Sequence, residues 1–222
     1  MIKYYIPIEI YSYINIVSFL LATLLFFKRP NRNEGIYASF LFMVVIVELI
    51  IGVYFDINYN NNWPVYNVYS VLCQFFYIYF FSTFFAREST KLSIHIHVLT
   101  ISWILLCLLM LLLKDLSQRI LVVNYLFGYF VSSIYVYFML LEILKKNLKP
   151  YLIPEFYLAL GVIVFFVCSF PIIVFLNTLF GEGSDSQAAL AYGAILKGGN
   201  IILSLGYLSM ILCKWKVKNY TT

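Results

Sequence analysis

Residues 188–213, AALAYGAILKGGNIILSLGYLSMILC, form an apolar run long enough to cross a bilayer, with a lysine near the middle. A cation at the centre of a spanning helix costs roughly 2.5–3.5 kcal/mol on insertion scales, so it is expected to face the bundle interior and meet a partner. Lys197, Asn200, Ser204 and Tyr207 follow one another at i, i+3, i+7 and i+10, which puts them on one polar stripe of an otherwise apolar rod. The remaining spans are read as the cage around that stripe.

The whole chain supports a membrane reading. Of its 222 residues, 63% are hydrophobic and 11% charged, with a mean hydropathy of +0.90. Soluble domains carry about a quarter charged residues. Spans and short connectors use nearly the full length, which leaves no stretch for a soluble catalytic or DNA-binding domain. The formal charge of +5 is then explained by basic loops on one membrane face, and no nucleic acid partner is implied. Cys73, Cys107, Cys168 and Cys213 all fall in or beside apolar runs without CxxC spacing, so they read as ordinary helix residues. His95 and His97 stand about 200° apart around a helix and lack HxxxH spacing, so no metal site is expected. Hydrolase, protease and nucleotide-binding motifs are absent from the sequence, and enzyme is the least supported class.

Runs of about twenty apolar residues predict an all-α, polytopic bundle of seven transmembrane helices in a single domain. The spans fall at 8–27, 36–56, 64–85, 94–113, 120–144, 155–181 and 188–213. Each is ended by a cluster of charge, proline, glycine or asparagine, such as KRPNRNEG after the first and KKNLKPYLIP after the fifth. Outside the spans, three Lys and Arg residues fall on one face and eleven on the other. The positive-inside rule therefore places the amino terminus outside and the carboxyl terminus in the cytoplasm.

Depth counting then suggests a site. At about 1.5 Å per residue, Lys197 lies roughly 14 Å below the outer edge of its span, Glu48 about 12 Å, and Gln74 and Pro171 about 15 Å. Glu48 is the one carboxylate well inside a span, and a Glu48–Lys197 pair is expected to join the second span to the seventh. The third span carries its own stripe of Asn67, Ser70, Gln74 and Tyr77 and is expected at the bundle centre; the fifth adds Asn124, Gly128, Ser132 and Tyr135. The nearly featureless fourth span is expected to face lipid. The candidate ligand-binding set is Glu48, Asn67, Gln74, Tyr77, Lys197, Asn200 and Ser204, opening outward, with Pro171 as a hinge.

Two resemblances follow from these residues. Pro171 in CSFP and Lys197 in the last span resemble the corresponding features of microbial rhodopsins, over about residues 166–210; the likeness implies retinal as a cofactor on Lys197. The chain departs from that pattern at Gln74 and Gly193, where carboxylates would stand. The segment VYNVY at 65–69, with GN in the last span, is similar to small uncharacterised seven-helix inner-membrane proteins of bacteria. That likeness implies a bacterial plasma-membrane location. The function expected is a receptor-like or sensor-like protein for a small amphipathic ligand, taking part in signal transduction through a separate protein partner. The alternatives are an embedded subunit of a larger complex and a small transporter, the latter because the third and seventh spans repeat one stripe.

Overall fold

The computed structural model describes residues 9–59, 63–88, 94–113, 122–174 and 186–218. All regular structure among them is helical. Helix α1 is Ile10–Lys28 and α2 is Arg32–Ile46; α2 runs through a π-helical turn, Val47–Ile51, directly into α3, Gly52–Tyr59. Helix α4 is Trp63–Arg87, α5 is Ile94–Leu113 and α6 is Val122–Lys145. A 3₁₀ turn, Pro150–Leu152, leads into α7, Pro154–Val174, and α8 is Ser186–Lys218. The last seven residues expected in the sixth span, 175–181, lie outside the described residues, as do the first ones of the fifth.

Six helical stretches are long and apolar enough to cross a membrane: Ile10–Lys28, Arg32–Tyr54, Pro64–Arg87, Tyr125–Lys145, Pro154–Pro171 and Gly193–Lys216. In α5 the described apolar part is shorter, Ile94–Leu109. Ile101, Leu105, Leu108 and Leu112 of that helix are all exposed, whereas Trp103 and Cys107 are buried against the bundle. An exposed apolar band of this kind on several helices is a lipid-facing surface.

Helix α4 occupies the centre. Its side chains meet α2 through Phe40–Phe76 and Tyr37–Phe80, α5 through Phe75–Trp103, and α8 through Tyr77–Tyr207. It also packs along α6. Small residues set the tightest seam, between α7 and α8: a Cβ on Gly206 would lie 2.9 Å from the Tyr157 carbonyl oxygen, and one on Gly161 3.2 Å from Leu203 Cα. Backbones that approach this closely gain dispersion contacts along the whole crossing, the main attraction available between helices in lipid. On its other side α8 packs on α1, whose buried stripe is Ser12, Asn15, Ser18, Ala22 and Leu25.

The connection from α6 to α7 is built by local sequence. Asn147 adopts a left-handed conformation (φ 48°), while the Leu148 N–H reaches the Ile143 oxygen at 2.9 Å and the Asn147 N–H the Leu144 oxygen at 3.2 Å. This closes α6 with an asparagine in the position more often taken by glycine. Pro150 prevents the helix from resuming, and Pro154 starts α7 with φ already suited to a first turn. Asn31 caps α2 by accepting the Asn33 N–H at 3.0 Å. These two connections bring residues 31–34 and 147–155 to the same end of the bundle, beside Arg87 and Lys214.

Candidate functional site

A line of polar side chains runs through the middle of the bundle. At one end Glu48 sits in the π turn, with the hydroxyls of Tyr69, Tyr66 and Tyr11 in hydrogen-bonding reach of its carboxylate. Tyr66 fits there because Gly52 stands opposite: a Cβ at that position would be 3.0 Å from the Tyr66 hydroxyl. One turn further along α4, the Cys73 thiol lies in hydrogen-bonding reach of Tyr69 and Tyr77. The Tyr77 hydroxyl is 2.6 Å from that of Tyr207, and the Tyr37 hydroxyl donates to the Tyr207 carbonyl oxygen at 2.9 Å. Tyr37, Tyr77, Tyr207 and the Cys73 thiol are buried, and Tyr11, Tyr66 and Tyr69 are half-buried. In a medium that offers no water, each polar group must find such a partner or lose several kcal/mol.

Beside this line Gln74 is fully buried, and its Nε2 donates to the Tyr125 carbonyl oxygen at 3.1 Å. A Cβ on Gly128 would lie inside the Gln74 carboxamide, so the glycine makes the notch that holds it. Among the described residues, the Gln74 Oε1 and the Ser132 hydroxyl, on the same α4–α6 contact, have no hydrogen-bond partner. Asn67 and Ser204 are also buried, and Asn200 is half-buried. Sequence position thus located Asn67, Gln74, Tyr77 and Ser204 in the interior. The side chain of Asn124 lies outside the described residues.

The expected Glu48–Lys197 pair is not formed. Lys197 has a 61% exposed side chain and binds the carboxylate of Glu9 at 2.7 Å, while Glu48 is held by tyrosines. Both charges meet the start of α1, Lys197 at Glu9 and Glu48 at Tyr11. With 33 residues α8 is about 50 Å long, well beyond a hydrocarbon core of about 30 Å. Glu48→Gln and Lys197→Met are accordingly expected to be additive, with a coupling below about 0.5 kcal/mol in a double-mutant cycle of unfolding in detergent. Pro171 lies inside α7 near its described end and is half-buried.

At the opposite end of the bundle stands a site that sequence reasoning missed. Glu34 and Glu155 are 5% and 4% exposed. Lys214 bonds Glu34 at 3.0 Å and lies 5.2 Å above the Tyr37 ring. Arg87 grips Glu155 with both terminal nitrogens, at 3.2 and 3.1 Å, and its Nε lies 3.6 Å from Glu88. Glu88 is also 3.6 Å from Lys146, which meets Glu142 at 3.2 Å. These pairs surround a cavity of about 940 Å³ with an apolar floor that includes Phe80, Leu152 and Met210. The signal was present in Glu34, Glu88 and Glu155, three acids among basic loops. Charge counting used those loops for orientation and gave the acids no role. Among the described residues, no group of three His, Cys, Asp or Glu side chains is placed to hold a metal.

No family model matches the chain, and no curated protein or solved structure matches it either. Fold and surface together define a multi-pass helical membrane protein.

Proposed function

We propose that the chain is a receptor-like or sensor-like protein of a bacterial plasma membrane that takes a small amphipathic ligand near Glu48 and acts through a separate protein partner. In this reading α5 is the seventh span, the amino terminus is outside, and the end that carries Arg87 and Lys214 faces the cytoplasm. The observation that carries the proposal is the placement of Glu48 on a π turn within a group of tyrosines. Such turns occur frequently at functional sites. From there the contacts continue through Cys73, Tyr77, Tyr207 and Tyr37 to the Lys214–Glu34 pair, which lines the cavity at the far end. This continuity gives a route by which occupancy of the outer end can bias the inner one; energetic coupling is what a test must establish.

A second reading, an embedded subunit of a larger complex, is favoured by a different observation: three phenols already satisfy the Glu48 carboxylate without a ligand. Retinal on Lys197 draws no support from that side chain's exposure and its pairing with Glu9. Native mass spectrometry of the chain released from its own membrane tests the proposal. A single chain carrying a small molecule that is lost in Glu48→Gln supports the receptor reading. A stoichiometric protein partner with no small molecule replaces it by the second.

A further inference from the structure

The cavity at the basic end carries more hydrogen-bond donors than its own acceptors use. All three carboxylates of its lining are engaged: Glu34 by Lys214, Glu155 by Arg87, and Glu88 by Arg87 and Lys146. On the donor side, Arg87 has five N–H groups, of which two form the fork to Glu155 and the Nε–H faces Glu88, leaving two. The side chain is 47% exposed, so these two are accessible. Lys149 lines the same cavity and is exposed, and its side chain makes no ion pair or hydrogen bond among the described residues.

The surroundings point the same way. Nine described Lys and Arg side chains stand at this end, three at the α1–α2 connection, one ending α4, three at the α6–α7 connection and two ending α8. Only Glu34, Glu88, Glu142 and Glu155 oppose them there. An occupant must therefore supply acceptors and negative charge. It must also tolerate the apolar floor of Phe80, Leu152 and Met210.

We infer that this cavity binds a phosphate group, held by Lys149 and the two free N–H groups of Arg87. Phosphate supplies several acceptor oxygens to a guanidinium already oriented by Glu155, which is the arrangement in which Arg recognises oxyanions best. The lining itself is balanced, with Arg87, Lys149 and Lys214 against Glu34, Glu88 and Glu155, so the positive excess that an incoming anion meets comes from the basic connections around the cavity. The phosphate comes either from an anionic lipid headgroup, whose glycerol and chain would lie on the apolar floor, or from a soluble phosphate compound.

The full chain in nanodiscs distinguishes these sources. One arm uses phosphatidylcholine with a minor share of phosphatidic acid and reads by native mass spectrometry which lipid is retained. The other uses phosphatidylcholine alone and reads the shift in thermal unfolding on adding inorganic phosphate, with chloride matched for ionic strength. Selective retention of phosphatidic acid is expected, reduced about tenfold in Lys149→Gln, the equivalent of one charge-assisted hydrogen bond, and reduced also in Arg87→Lys. Lys145→Gln removes an exposed charge at the same end outside the cavity and should leave the preference unchanged. A phosphate-dependent shift in the second arm that Lys149→Gln abolishes, with no lipid preference in the first, supports the site with a soluble source. Equal losses in Lys149→Gln and Lys145→Gln, or no response in either arm, overturn the inference. The Lys149 side chain makes no described ion pair or hydrogen bond, so its variant is expected to fold even if Arg87→Lys does not.

Discussion

Lys214→Met is expected to lower the free energy of unfolding by about 3–5 kcal/mol, the range seen when one partner of a buried ion pair is removed. The pair qualifies as buried, since the side chains of Lys214 and Glu34 are 12% and 6% exposed. The ammonium lies over the Tyr37 ring, and Tyr37 in turn holds the Tyr207 carbonyl. Removing the cation takes the ion-pair lysine from a buried carboxylate and unseats an aromatic that packs against Phe40 and Phe80. Glu34→Leu combined with Lys214→Met should recover much of the loss, because no unmatched charge is left behind. Unfolding in mixed micelles measures both; a loss under about 1 kcal/mol in the single variant would place the pair among solvent-screened surface bridges.

Gly128→Ala is expected to be damaging in the native sequence and harmless once Gln74 is shortened. The added methyl would occupy the space of the Gln74 carboxamide, which is fully buried and cannot swing into solvent. Overpacking of this kind costs about 1–3 kcal/mol, and loss of the bond to Tyr125 adds about 1 kcal/mol. In a Gln74→Ala background the same substitution meets open space, and alanine is a better helix former than glycine by about 0.8–1.0 kcal/mol. The sign of the effect should therefore reverse between the two backgrounds. Equal destabilisation in both would show that Gly128 serves the α6 backbone rather than the side chain of Gln74.

The helices were legible because a bilayer leaves a chain few choices. Apolar length and interrupting clusters are enough to mark spans, and the stripe of Asn67, Ser70, Gln74 and Tyr77 marked α4 as central. What periodicity could not give was the partner of each polar group. Lys197 shares a stripe with Ser204 and Tyr207, yet Ser204 and Tyr207 are buried while Lys197 turns outward to Glu9. Long flexible side chains choose among directions that a helical wheel treats as one. The ion pairs at the other end were hidden for a different reason. Arg87 and Glu155 are 68 residues apart and Glu34 and Lys214 are 180 apart, so only the packing of four helices brings them together. The π turn was hidden as well, because nothing in VELII distinguishes it from an ordinary helical turn.

That turn has a consequence for how the chain can vary in length. A π turn is one surplus residue accommodated within a helix, so the flanking segments Arg32–Ile46 and Gly52–Tyr59 keep their own faces toward the bundle. Deleting a residue from the turn would leave both flanks in place and erase only the bulge that presents Glu48. Deleting one anywhere else along the same helix would rotate everything beyond it by about 100°. The aim of this carboxylate is thus a separable trait of the molecule, open to gain or loss by a single-codon insertion while the surrounding architecture stays as it is.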